Sequence, residues 1–411
     1  MPKISIILPV YNGAKYLENA LHSLRMQSFT DFVCYIINAN SNDATSQIIK
    51  SYSALDTRFI SLSTKYAGKG SAYNLGLNQR LGDYTLFMEY YHVLESDALA
   101  TLLKYAPDND VVLAQCRALS QKEDAQQRRI QANSLNQDEF LQTILLGNLQ
   151  DSTSAKLFRT EAFKSLRFKN TTQLFCNTLF VMQTMKHLQN IVQIDKVIQY
   201  TQEITIQTFA YGKSTAFINE IDCLEDLMEY AIQTLPSQAI YALYYTVEAC
   251  LYLAEQLQYE KNAVATLAKK RIKNICKKYR AWYCKAKHIR FSKKLLVYCL
   301  SISYRLYCSI YHVMRKNKQY WQNAGQYILS KEKRLDRAER KEITRKMQNK
   351  ELSLWAQGKE LLYTEMQKPD KQKYIEPLQN IIAPISKPIR AIKKQYKDTK
   401  QKILETIFSK K

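Results

Sequence analysis

Glycine and proline are scarce, at 9 and 8 in 411 residues. So few turn formers in so long a chain point to helix, and they exclude a collagen-like protein. Cysteine never forms a C-x-x-C pair; it stands at positions 34, 116, 176, 223, 250, 276, 284, 299 and 308, an odd count set mostly inside apolar runs. That pattern reads as buried, reduced thiols, so a cytosolic compartment is expected. A signal-peptide core is lacking, because Met1-Pro2-Lys3 leads straight into the strand-like Ile4-Ser5-Ile6-Ile7-Leu8 with no small-residue cleavage site, and nothing suggests secretion. Long apolar runs are missing except at Leu295–Met314, where Arg305 lies at the centre. Its eight strongly apolar residues, at about −0.3 to −0.6 kcal/mol each, barely offset an Arg at about +2.5 to +3.5 kcal/mol. The expectation is an interfacial or protein-buried helix, flanked by Lys293, Lys294, Arg315, Lys316 and Lys318.

With 46% hydrophobic and 24% charged residues the chain is able to bury a sizeable core, which excludes full disorder. Its length favours two or more folding units. The net charge of +23 is uneven. Residues 1–260 hold 21 Lys and Arg against 26 Asp and Glu, whereas residues 261–411 hold 39 against 11. A field of that size attracts phosphate, on nucleic acid or on anionic lipid.

Strand-like runs at Ile4–Val10, Val33–Ile37, Phe59–Leu62, Tyr84–Met88 and Val111–Ala114 alternate with helix-like stretches at Ala14–Gln27, Asp43–Tyr52, Ser71–Gln79 and Ser96–Lys104. The second helix opens on Asn42-Asp43, which suits an N-terminal cap. This alternation predicts an α/β protein with a mostly parallel sheet covered on both faces and ligands at the carboxyl ends of the strands. Residues 116–200 are less regular, with a helix from about Thr178 to Leu188. From Ile218 the pattern is helical almost continuously. The expected organisation is a sheet domain over 1–215, a helical domain over 216–330 and a basic helical tail over 331–411. In that tail Ile385, Ile389, Ile392, Tyr396, Ile403 and Ile407 keep helical spacing among Lys393, Lys394, Lys397, Lys400 and Lys402. Two readings stand for it, a solvated helix and a membrane-surface helix.

Over residues 1–105 the chain resembles the family 2 glycosyltransferases. The resemblance rests on Ile4-Ser5-Ile6-Ile7-Leu8-Pro9-Val10-Tyr11-Asn12, Tyr16-Leu17, Ser23-Leu24-Arg25-Met26-Gln27-Ser28-Phe29 and Asn74-Leu75-Gly76-Leu77, with a weaker echo from Ser154-Ala155-Lys156-Leu157-Phe158-Arg159 to about residue 200. It implies a GT-A (Rossmann-like) fold and transfer of a sugar from a nucleotide diphosphate, whose charge a carboxylate-bound Mg or Mn neutralises. On that resemblance Pro9, Tyr11, Asn12, Asn38, Asn40, Lys69, Asn74 and Glu89 are the candidate nucleotide-sugar residues.

Four places depart from the family pattern. Where an acidic Asp-Asp-Gly-Ser type run is expected, the chain reads Asn38-Ala39-Asn40-Ser41. At the metal-binding Asp-x-Asp it reads Glu89-Tyr90-Tyr91-His92, which leaves Glu89 and His92 as the candidate metal ligands. At the Glu-Asp pair of the general base it reads Cys176-Asn177, and Tyr73 stands where an Arg is common. Lys65, Lys69 and Arg117 are alternative fixed cations for a metal-independent site, and the asparagines are equally turn and cap residues. His22, His187, His288 and His312 read as structural.

Two functions follow. One is a non-catalytic family member, cytoplasmic and peripheral to the membrane, which partners active transferases of surface-polysaccharide or glycoprotein assembly and touches anionic lipid through 290–411. The other is an active transferase with an atypical or metal-independent site, binding Mg or Mn only in that case. Nucleic-acid binding is a third class, disfavoured because no known module precedes the tail.

Overall fold

The computed structural model describes residues 2–316, apart from 66–67, 123–128, 148–151, 171, 173, 203–214 and 287–288. The 331–411 tail, with its Ile/Lys pattern, lies outside the described residues, as does His288.

Four parallel strands open the fold in the order β3-β2-β1-β4: β1 (Ile4–Val10), β2 (Phe32–Asn38), β3 (Phe59–Ser63) and β4 (Tyr84–Phe87). All seven residues of β1 are buried, as a central strand covered on both faces requires. Its side chains alternate between two cores. Ile4, Ile6, Leu8 and Val10 pack with Leu17 and Leu21 of α1 (Ala14–Arg25) and with Leu99 and Leu102 of α4 (Ala98–Lys104). Ile7 points the other way, into a core with Tyr73 of α3 (Lys69–Leu77). The helix α2 (Thr45–Leu55) completes this half.

The sheet continues through β8 (Lys156–Arg159), which runs antiparallel to both β4 and β6 (Val111–Ala118). Beyond β6 lies β9 (Ile191–Thr201), parallel to it, with β5 (His92–Leu94) and β7 (Ala132–Leu135) antiparallel on β9. The described sheet therefore has nine strands, mixed at one end and parallel at the other. The irregular reading of 116–200 misses β7, β8, β9 and α5 (Gln137–Leu145). The start of α5 was nevertheless legible: Asn136 and Glu139 form a reciprocal capping box.

The helices α6 (Cys176–Thr184), α7 (Thr215–Thr234), α8 (Ala239–Gln256) and α9 (Ala263–Lys285) join the same core as Ile7 and Tyr73. The helices from α7 onward thus pack on the sheet half, and all the described residues fall within one compact unit. Leu295–Met314 is not one helix but two, α10 (Phe291–Ile302) and α11 (Tyr304–Lys316), broken at Ser303 with an extended backbone (φ −153°). Tyr304 and Tyr307 donate to the carbonyls of Ala254 and Leu251 on α8, at 2.5 and 3.4 Å. One side of the hairpin is buried, through Val297, Leu300 and Tyr307, while Tyr298 and Ile302 stay exposed on the other. Among the described residues no helix is long and apolar enough to cross a membrane. None of the nine cysteines forms a disulfide; six are buried, while Cys116 is exposed.

Candidate functional site

The strand order reverses between β1 and β4, and the crevice at their carboxyl ends is where an open α/β sheet offers a ligand site. Register places Val10 opposite Asn38 and Ile7 opposite Phe87, so Tyr11-Asn12, Ala39-Asn40 and Met88-Glu89 leave the sheet at one edge. Pro9 is buried in β1, and Tyr11 is exposed beyond it.

Most polar candidates here hold the loops to one another. The Asn12 N–H donates to Ser41 Oγ at 3.0 Å, and Asn12 Oδ1 accepts from the Asn42 N–H at 2.9 Å. Gly13 N–H donates to Thr45 Oγ1 at 2.9 Å, and Ala14 N–H to Asp43 Oδ2 at 3.1 Å. Asn38 accepts from the Ser41 N–H and donates to Ser46 Oγ, at 2.9 and 2.8 Å. Asn12 and Asn40 sit at positive φ (48° and 62°), a conformation asparagine tolerates, and Asn40 is exposed. Asp43 lies just outside the α2 cap, Ala44, and accepts from Thr45 N–H, so one carboxylate serves the starts of two helices. Burial alone would raise its pKa; the Thr45 and Ala14 hydrogen bonds outweigh that and hold it below the ordinary value.

The carboxylate at the metal position is already matched. Glu89 Oε1 lies 2.8 Å from Lys69 Nζ, the first residue of α3, and both side chains are buried (3% and 5% exposed). Tyr73 donates its hydroxyl to the same oxygen at 2.9 Å. Burial, and after it the Glu89 charge, push the Tyr73 pKa well above its ordinary value, so this group is a fixed donor. Its ring stacks on Phe168 at 4.6 Å between centroids. Tyr73 thus stands on the same carboxylate oxygen as the ammonium of Lys69, one helical turn earlier.

His92 opens β5, fully buried, with Nδ1 3.0 Å from Gln199 Nε2 and 3.4 Å from the Glu89 N–H. Mg or Mn does not fit this donor set. A cation would have to displace the Lys69 ammonium from Glu89, and among the described residues no three His, Cys, Asp or Glu converge as a metal group.

Asn74 is also in use. It bonds the Phe168 N–H and carbonyl, each at 2.8 Å, and Asn170 Oδ1 at 2.8 Å. These contacts lay Phe168–Asn170 against α3 so closely that a Cβ on Gly70 would sit 1.9 Å from the Lys169 carbonyl oxygen. At the start of α6, Cys176 and Asn177 are fully buried, and Asn177 donates to Thr153 Oγ1 at 3.1 Å. Burial pushes the Cys176 thiol up to about 11, which keeps it neutral.

A carboxylate does reach this position, from a distant element. Glu220 of α7, fully buried, accepts from Leu174 N–H at 3.2 Å and Phe175 N–H at 3.2 Å, at the positive end of α6. No local motif announces Glu220 or Gln199, since each meets its partners only through the fold. Lys65 and Arg117 are exposed, after β3 and on β6, and His22, His187 and His312 are exposed on helical segments.

Comparison with known proteins agrees with this architecture. The family described as glycosyl transferase family 2 matches residues 5–167. An uncharacterized glycosyltransferase of Haemophilus influenzae is 30% identical over 171 residues, which make up 41% of this chain and 67% of that protein. Glycosyltransferase GlyA of Streptococcus pneumoniae is 28% identical over 178 residues, or 40% of this chain, which spans about a quarter (26%) of GlyA's length. Among solved structures, residues 1–349 of Staphylococcus aureus TarS in complex with UDP-GlcNAc superpose with a TM-score of 0.52 at 18% identity, covering 77% of this chain and 92% of that one. The overlap with TarS establishes the GT-A fold, and with the matched N-terminal segment it follows that the chain belongs to the family 2 glycosyltransferases.

Proposed function

We propose that this chain is a non-catalytic family 2 glycosyltransferase of cell-surface polysaccharide assembly, acting at the cytoplasmic membrane surface as a partner of active transferases. The buried Lys69–Glu89 pair, closed by the Tyr73 hydroxyl, carries the reading. A transferase of this family needs a carboxylate free to hold a cation against a departing diphosphate; here that carboxylate balances an internal ammonium. The missing base agrees with it, since Asn177 does not ionise, the Cys176 thiol is neutral and Glu220 is turned onto backbone N–H groups. The polymer class is supported by a relative: TarS is named as a poly(ribitol-phosphate) N-acetylglucosaminyltransferase.

Calorimetric titration of the full chain with UDP, GDP and their sugars, with and without Mn²⁺, tests this. The expected outcome is no metal-dependent binding. Donor binding that strengthens on adding Mn²⁺, or sugar release from a donor, would overturn the proposal in favour of an active transferase. Weak binding that ignores the metal fits a retained nucleotide-sugar pocket without turnover.

A further inference from the structure

The helices at the end of the described chain present an unusual surface. Between Glu260 and Glu332 the sequence contains no Asp or Glu. Within that stretch α9 alone carries eight Lys and Arg in 23 residues. On α10, Phe291, Leu295, Tyr298 and Ile302 recur at i, i+4, i+7 and i+11, which places them on one face. Phe291, Tyr298 and Ile302 are 54%, 50% and 46% exposed, while Val297 and Leu300 on the opposite side are buried in the core. Leu295 packs partly against the core, but Phe291, Tyr298 and Ile302 are not buried by the protein's own fold.

Cations border the stripe. On α9, Lys273, Lys277, Arg280 and Cys284 recur at helical spacing and so share a face, and from that face Cys284 Sγ contacts the Lys294 carbonyl and Arg280 donates to Ser301 Oγ at 3.1 Å. The Arg280 guanidinium lies 5.1 Å from the Tyr298 ring centroid. At the other end Arg290, exposed, caps α10 just before Phe291. An apolar face with aromatic residues, bordered by positive charge, is complementary to an anionic bilayer: the rings and aliphatic groups enter the headgroup boundary while the cations meet lipid phosphates. Glu248, which pairs with Lys293 of α10 at 2.6 Å, lies on the opposite side of the helix from Phe291 and Tyr298. Single-stranded nucleic acid would use the cations and rings but would leave Ile302 in water.

From this we infer that the α10 stripe, with Lys277, Arg280 and Arg290, is the surface by which the chain docks on anionic lipid. It rests on the membrane-surface part of the proposed function and gives that part an address.

Flotation of the full chain with phosphatidylcholine vesicles, with and without phosphatidylglycerol, tests it. The wild type is expected to float only with the anionic vesicles. The triple variant Phe291→Ser, Tyr298→Ser, Ile302→Ser is expected to bind at least about tenfold more weakly. Lys277→Glu with Arg290→Glu leaves the stripe intact and is expected to weaken binding similarly at low salt; it reads the same surface should the triple variant fail to fold. Wild type and both variants floating alike would overturn the α10 surface and leave membrane association standing through another segment. Failure of the wild type to float on any vesicle would overturn both, as would preferential binding to single-stranded RNA, or a dimer that the triple variant splits without any vesicle binding. None of these readouts depends on nucleotide binding.

Discussion

Almost no solvent reaches Glu89, and one ammonium and one phenol hydroxyl face the same carboxylate oxygen. Removing one partner of such a pair strands the other. Lys69→Met is expected to cost about 3–5 kcal/mol in urea unfolding, and Lys69→Met with Glu89→Leu to recover most of that loss. If the single variant proves as stable as wild type, the pair is not what balances the carboxylate. At this scale the sequence was half legible. Asn12, Asn38 and Glu89 stand at the ends of strands whose runs are plain in the sequence. Partners were not legible: Asn12 meets Ser41, and Asn74 meets Phe168, across stretches of chain with no local signature.

Among the elements, β1 occupies Ile4–Val10, the bounds its β-branched run predicts, because a strand buried on both faces has an uninterrupted apolar signal. By contrast β8 has only four residues and takes its place by pairing antiparallel with two strands distant in sequence, which no local period reveals. The Leu295–Met314 stretch shows the limit from another side: its apolar content was readable, but its break at Ser303 is set by docking on α8. Helix α6 depends on α7 in the same way. Glu220→Gln keeps the shape but removes the charge that faces the two N–H groups, and a loss of about 1–2 kcal/mol is expected, with faster amide exchange at Leu174 and Phe175. Unchanged exchange at those amides would show that the cap contributes nothing.

For the whole described unit, the core beneath β1 and β4 runs without interruption into α7, α8, α9 and α10. Phe175, for example, packs edge-on against Tyr245 of α8 at 6.1 Å. A chain ending at residue 202 would expose that face, so it is expected to be insoluble or to bind a hydrophobic dye strongly, whereas the full chain does not. A soluble, cooperatively unfolding 1–202 fragment would argue for two separable domains. Charge asymmetry along the chain was legible from composition, and so was the family, because the first strand and its turn carry a dense motif. The compensation of the donor site was not, since it requires knowing that Lys69 and Glu89, twenty positions apart, share one buried space.

That compensation also changes how the crevice looks from solution. A lone carboxylate there would draw divalent ions and repel diphosphates over a Debye length; matched to its own ammonium, it projects only a short-range dipole. The pair itself thus gives an approaching molecule no long-range guidance, and whatever enters the crevice must be recognised by shape and contact after arrival.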